Sequence, residues 1–576
     1  MRYLTALIFL LFSIQLQAQQ HITRFETSGG KQTPSYAEIM NWWKALDKAS
    51  TMVQLKTMGP TDAGEPLSLI LVSANRQFDP ATLRRQNKRI ILINNGIHPG
   101  EPDGIDASML LVRDIVEKKI NLPENIVLAI IPVYNIGGIL NRSAYYRVDQ
   151  NGPEEFGFRG NSRNFDLNRD FIKADSKEAR SFAEIFHWCD PDVFVDNHVS
   201  NGADYQHVMT LIASQHNKLG GVMGKFMHDV FEPFLYQSMA AKNFPLIPYV
   251  NFFGGRPERG WSEFFDGPRY STGYAALWHS FSFMPETHML KPYDQRVRAT
   301  YELMRSFIEF TAMHSAQIAQ LRKEQKQQVL AAKEFPLAWK LNRDNPGKIV
   351  FSGYESGMKT SYVSGLPRLY YDRAKPFTRT VDYFNHYEPS LVVKKPAAYI
   401  LPQGWWNVVE LLKLNGVEMR PLQQDTILEV EVYRIDDYQA ASRPYEGHHP
   451  NSNVQLSVKE EKMSFRKGDW YIPMTQIANR FLVEVLEPQG SDSYFAWNFF
   501  DGILGRKEGF SAYAFEETAA AYLKENPALR QQLRDKVASD TTFAKSASAQ
   551  LEFVFKNSPY YEPDHMRYPV YRIKEK

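Results

Sequence analysis

Four short runs with apolar centres constrain this chain more than any other feature. They span 66–73, 89–94, 125–134 and 192–197. Each has the length of a strand, and none shows the apolar–polar alternation of a strand with one wet face. A strand that is apolar on both sides must be covered on both sides. Between the runs lie segments with helical spacing: 36–49, with Met40, Trp43 and Leu46 on one face, then 104–118 and 177–189. Doubly buried strands alternating with helices define an α/β fold, a mixed and largely parallel sheet flanked by helices. Sheets of this kind place their chemistry on the loops that leave the C-terminal ends of strands.

Two such loops carry a histidine. The run 89–94 leads into Asn95-Gly96-Ile97-His98-Pro99-Gly100-Glu101. A His and a carboxylate three residues apart reach one metal ion if the backbone between them turns sharply, and Pro99 and Gly100 supply that turn. The run 192–197 ends at His198. By itself His198 reads equally as a core histidine with satisfied hydrogen bonds. Paired with His98 at an equivalent strand end, it completes a set of two His and one carboxylate with an open fourth position, a zinc set suited to hydrolysis. The reading is therefore one Zn2+ held by His98, Glu101 and His198. A later strand-like stretch, 280–286, ends in Glu286 beside Pro285, where the acid is either a general base or an exposed strand-end group. Between the two histidines runs 135–170, a loop too long to be idle in a compact domain. Its Arg159, Arg163 and Arg169 alternate mainly with Asn and Gly, so they have few local ion-pair partners. That fits the capture of a carboxylate by guanidinium forks.

At 576 residues the chain exceeds what one core can serve, and a formal net charge of +2 gives no ground for expecting nucleic acid or an anionic membrane as partner. Residues 1–18 read as a signal peptide: Arg2, an apolar stretch over 4–16 too short to span a bilayer, and a small residue, Ala18, at the cleavage point. An N-terminal membrane anchor is the alternative. With cleavage the expectation is an exported protein, periplasmic or extracellular, without a transmembrane segment. The one cysteine, Cys189, excludes an intramolecular disulfide, which suits a bacterial periplasm or cell exterior. It closes an apolar helical run and reads as a small buried hydrophobe.

His98-x-x-Glu101, then Asp-Leu-Asn168-Arg169, then His198 at a strand end, then Glu286 together resemble the ordered signature of the carboxypeptidase A-like zinc carboxypeptidases, over about residues 35–315. The resemblance implies that Asn168 and Arg169 hold the C-terminal carboxylate of a peptide and that Glu286 is general base, then general acid. It implies that Arg159 or Arg163 polarises the scissile carbonyl. Arg159 is favoured by its place in Arg159-x-Asn161, which leaves Arg163 to substrate binding. Many members carry a mobile Tyr before the catalytic Glu, for which Tyr270 and Tyr274 are candidates. His279 and His288 read as structural groups. The implied function is a zinc metallocarboxypeptidase acting on peptides with a free C-terminal carboxylate. The same residues would serve an amidase or deacylase on cell-wall peptides or acyl-amino acids, and a non-catalytic peptide- or glycan-binding protein is the third reading.

The expected organisation is a carboxypeptidase-like domain over 30–320, a helical connector over 321–344 and an accessory region of α+β or β-rich character over 345–576. In that last region 362–370, 397–401, 427–433 and 481–486 read as strands, 407–414 as a short helix and 516–536 as helices. The densely aromatic run 491–500 is either a binding platform or core at a domain interface.

Overall fold

The computed structural model describes residues 21–252 and 255–575, so the signal-peptide reading of 1–18 lies outside the described residues. Nine strands make the central sheet. In chain order they are β1 (Val53–Thr57), β2 (Ser68–Ser73), β3 (Arg89–Asn94), β4 (Ile126–Ile131), β5 (Val193–Asp196), β6 (His198–Ser200), β7 (Met209–Ala213), β8 (Ile247–Pro248) and β9 (Phe281–His288). Their spatial order is β1-β2-β4-β3-β5-β9-β7-β8, with β6 also paired to β9. The pairs β4/β3, β3/β5 and β5/β9 are parallel, and antiparallel pairs flank them on both sides. This is the mixed, largely parallel sheet that doubly apolar strands require.

Strand parity sorts the side chains onto two faces. Ile70, Val72, Ile91, Ile93, Leu128 and Val195 face one core. There they meet α1 (Tyr36–Ala49), α2 (Asp103–Val116) and α4 (Tyr293–Met313). Leu71, Leu92, Ala129 and Phe194 face the other, against Phe182, Ile185 and Phe186 of α3 (Lys177–Cys189). Each fully buried aliphatic or Phe side chain contributes about 1.5–3 kcal/mol, so the sheet's place between its helices is strongly determined. The ends of α1 follow from local chemistry. Ser35 caps it, accepting from the Glu38 N–H, while the Glu38 carboxylate accepts from the Ser35 N–H at 2.8 Å.

The helical run continues through α5 (Ser315–Ala331) but not across 321–344. Glu334–Leu341 is instead a strand, β10, paired with β13 (Tyr387–Lys394). Pro336 cannot continue a helix, and burial of Phe335 and Leu337 has the period of a strand. Beyond it, β11 (Gly347–Thr360) and β12 (Pro367–Phe384) form a long hairpin whose turn, 361–366, overlaps the stretch 362–370 expected to be a single strand. The remaining sheet orders Arg420–Pro421, β17 (Trp470–Pro473), β14 (Ala398–Leu401), β18 (Tyr571–Ile573), β15 (Thr426–Ala440) and β16 (Asn451–Phe465). The helix α6 (Trp406–Leu414) lies where expected, but 481–486 is helical, within α7 (Asn479–Leu486). Every residue of α7 is buried, Arg480 and Glu484 included, and a short run buried on every side carries no period that separates helix from strand. Phe481 and Val485 of α7, Leu411 and Leu412 of α6, and Trp497 belong to the same core as β3 and α3. The aromatic run is therefore core: Tyr494, Phe495, Trp497 and Phe500 are buried.

Candidate metal centre and active site

Three elements deliver the candidate ligands to one point. The loop after β3 turns through Pro99-Gly100 and brings His98 and Glu101 together, Nδ1 to Oε1 at 3.3 Å. A side chain at Gly100 would meet Arg147 at 2.7 Å and the Gly157 carbonyl at 3.1 Å, so the tight path needs glycine. His198 arrives on β6, its Nδ1 3.1 Å from Glu101 Oε2. One ligand atom from each of the three lies within 4.8 Å of the other two. All three residues are buried.

Each histidine is held from behind by a carboxylate. His98 Nε2 lies 2.9 Å from Asp166 Oδ1, and His198 Nε2 lies 2.9 Å from Asp196 Oδ2. Asp196 is itself oriented by the Asn94 amide at 3.0 Å. A carboxylate on the distal nitrogen fixes ring and tautomer and raises basicity, the usual support of a metal-binding histidine. The Nδ1 atoms of both rings are thus the ones turned toward Glu101. Burial works against the charge of Glu101, but Arg147, His98 and His198 outweigh it and hold its carboxyl well below the ordinary range. Burial also works against a charged His198. Asp196 and Glu101 overcome this and keep its affinity for a proton well above the ordinary value. The point between the two Nδ1 atoms and Glu101 therefore favours positive charge, and two imidazoles with one carboxylate are the donor set zinc takes. The residues fit the ion.

Around them opens a cavity of about 440 Å³, lined among others by Arg159, Asn168, Arg169, Tyr249, Tyr270 and Glu286. Glu286 stands on β9 in register with His198 on β6. Met284 and Glu286, two residues apart, line the cavity together, while Phe281 and Phe283 point into the opposite core. Burial pushes the Glu286 carboxyl up to about 8, His198 opposing and Glu101 adding to the rise. Arg159 grips Asp166 with two bonds of 3.0 and 2.8 Å and places Nη1 3.3 Å from His98 Nδ1. Asn168 sits in the short 3-10 turn Leu167–Arg169, its N–H held by Asp166 Oδ1 at 2.9 Å. Its Oδ1, an acceptor, is buried with no hydrogen-bond partner, and the donor end of the amide is Nδ2. Arg169 stacks its guanidinium 4.6 Å over the Tyr270 ring.

Arg163, expected beside the substrate, does not line the cavity. Asn161 Oδ1 accepts the N–H groups of Arg163 and Phe165, and Asn164 takes a left-handed conformation (φ 62°). This turn swings Arg163 away, onto the Asp175 carbonyl at 2.8 Å and over the Phe165 ring. Tyr274 also lies elsewhere, buried with its hydroxyl on Asn415 at 2.7 Å, whereas Tyr270 is at the cavity. His279 and His288 face backbone carbonyls, of Ile477 at 3.3 Å and Ala203 at 2.8 Å. Cys189 is buried.

Sequence reasoning passed over Arg147, whose Nη1 donates to Glu101 Oε1 at 2.7 Å and Nη2 to the Val199 carbonyl at 3.1 Å. Nothing local to Arg147 marks it, because its target lies 46 residues away. Asp196 could have been found: it precedes His198 by two, and a ligand histidine wants a carboxylate behind it.

Residues 39–218 match the family model of the zinc carboxypeptidases. Carboxypeptidase 2 of Trichophyton rubrum is 19% identical over 428 residues, covering 70% of this chain and 72% of that protein. Among solved structures, a metallo-carboxypeptidase from Burkholderia cenocepacia has a TM-score of 0.36 at 15% identity, over 49% of this chain and 70% of that one. Carboxypeptidase A from Helicoverpa armigera has a TM-score of 0.37 at 15% identity, over 50% and 74%. No helix among the described residues is long and apolar enough to cross a membrane. Residues 39–218, which carry His98, Glu101 and His198, are thus similar to the zinc carboxypeptidases.

Proposed function

We propose that this protein is an exported carboxypeptidase that removes single residues from peptides with a free C-terminal carboxylate. The observation that carries the reading is the convergence on one cavity of a His98–Glu101–His198 cluster, an acid at Glu286 and two cavity-lining cations, Arg159 and Arg169. His98, Glu101 and His198 would hold one zinc ion. When bound, zinc lowers the pKa of a water to about 7, from about 15.7 in bulk, and polarises a carbonyl.

The rest is the work of side chains. Asn168 and Arg169 bind the terminal carboxylate and so decide which peptide bond stands at the cluster. An internal bond offers no such group. Glu286 accepts a proton from the attacking water as its oxygen bonds to the carbonyl carbon, then gives that proton to the departing amine as the C–N bond breaks. Its raised affinity for a proton suits the second step. Arg159 stands against the charge that develops on the carbonyl oxygen, a contribution typically worth about 2.7–4 kcal/mol.

The test is a pool of peptides, each with a free and an amidated terminus, incubated with the mature protein with and without a chelator. Chelator-sensitive loss of one residue from free-ended peptides alone is expected. Arg169→Ala should lower kcat/KM on free-ended peptides by about 2 kcal/mol or more, as for a lost charge-assisted pair, with little change on amidated ones. Zinc binding without any trimming would instead favour an amidase or deacylase on cell-wall peptides or acyl-amino acids.

A further inference from the structure

The residues that line the cavity all come from the first 331, but two parts of its wall are braced from beyond them. Between β15 and β16 the chain makes a tight turn, Tyr445-Glu446-Gly447-His448. Tyr445 and His448 exchange backbone hydrogen bonds of 2.7 and 3.1 Å across it. Both central residues have positive φ, 49° at Glu446 and 82° at Gly447. Such two-residue turns prefer Asn, Asp or Gly at the first central position. Glu446 is an unfavoured choice there, and its side chain has a specific partner. Oε2 accepts the N–H of Asp166 at 2.8 Å. Asp166 is the carboxylate behind His98.

The neighbouring side chain does the same for the anion clamp. Tyr445 stacks on the buried Trp497 and offers its hydroxyl oxygen to Arg169 Nε at 3.0 Å. Arg169 Nη1 donates to the Asn168 carbonyl at 2.8 Å, and Tyr270 lies under the guanidinium. With those three contacts the plane of the fork is fixed, and Nη2 is the donor without a protein partner among the described residues. His448 completes the contact, its Nε2 2.7 Å from Asp175 Oδ2 at the far end of the same loop.

We infer that this turn of the C-terminal region is part of the active site: Tyr445 is a positioning residue that presents Arg169 to the substrate carboxylate, and Glu446 anchors the Asp166 loop on which His98 and Arg159 depend. The accessory region thereby sets substrate affinity without touching the scissile bond. This rests on the assignment of Arg169 as the carboxylate clamp.

The experiment compares wild type, Tyr445→Phe, Arg169→Ala and the double variant. The probe is an N-blocked peptide in free and amidated forms, and binding to the metal-free protein is measured by calorimetry alongside the kinetics of the zinc-loaded protein. Tyr445→Phe removes one oxygen and keeps the stacking ring. It is expected to raise Kd and KM for the free-ended peptide three- to ten-fold, to leave kcat within two-fold, and to add nothing in the Arg169→Ala background. Glu446→Asn keeps the turn, since Asn accepts positive φ, but shortens the reach to Asp166. It is expected to fold as well as wild type and to lose zinc faster to a chelator. If Arg169→Ala abolishes the preference for the free terminus while Tyr445→Phe leaves Kd and KM unchanged, the turn has no positioning role and the clamp assignment stands. If Arg169→Ala itself leaves the preference intact, or wild type has none, the clamp assignment falls and takes this inference with it.

Discussion

Single residues decide whether the proposed site can work, and Glu286 is the sharpest case. It lines the cavity in register with His198 and makes no ion pair among the described residues. Glu286→Gln keeps shape and removes the proton carrier. It should retain zinc at one equivalent and lose about 10²–10⁴-fold in kcat, the usual worth of a general acid–base. Turnover near the wild-type rate would end the assignment. Asp196 acts one step further back, through the ring of His198 at 2.9 Å. Asp196→Asn should weaken zinc affinity by about 10–100-fold, as for other supporting carboxylates, readable by competition with a chelator. Undiminished affinity would mean that the ring is oriented by its backbone alone. The candidates that sequence reasoning named at strand ends, His98, Glu101, His198 and Glu286, are brought together by the structure. They were legible because a strand end is a place that topology predicts. Arg163 was not, because a turn reversal at Asn164 is a matter of three residues and leaves no periodic trace.

At the scale of elements, β9 carries the site on one face and a large share of one core on the other. Phe283 packs against Phe231 and Phe307 at 4.7 and 4.9 Å between ring centroids and is fully buried. Phe283→Ala should cost about 3–5 kcal/mol of stability, measured by denaturant unfolding, while zinc stoichiometry at saturation stays near one. A cost below about 1 kcal/mol would show that the strand is held chiefly by its ladder to β5 and β7. The elements most legible in the sequence were those with a clear period or a marked end. The helices 36–49 and 177–189 coincide with their expected limits. The run 481–486 was read as a strand because a segment buried on every side looks the same in either conformation, and only its neighbours choose.

At the scale of the whole molecule, the core on the α3 face of the sheet runs across what the sequence presents as two regions. Trp278 of the first packs on Phe481 of the second at 5.1 Å, and Tyr274 hydrogen-bonds to Asn415. A fragment comprising 21–331 would expose the face of α3 that Leu411, Leu412 and Phe481 now cover. It is expected to bind a hydrophobic dye and to unfold without a sharp transition. A fragment with cooperative unfolding and full zinc affinity would show that the C-terminal region is an independent attachment.

What the sequence determined by itself was the doubly buried sheet and the strand-end positions of the candidate ligands, because burial on two faces and ligand spacing are properties of contiguous residues. What only the tertiary structure decided was the support of that site: Arg147 on Glu101, Asp166 behind His98, and the Tyr445-Glu446 turn against Arg169 and Asp166. These contacts join residues 46 to 280 positions apart. Each depends on a direction in space that no local pattern of side chains encodes.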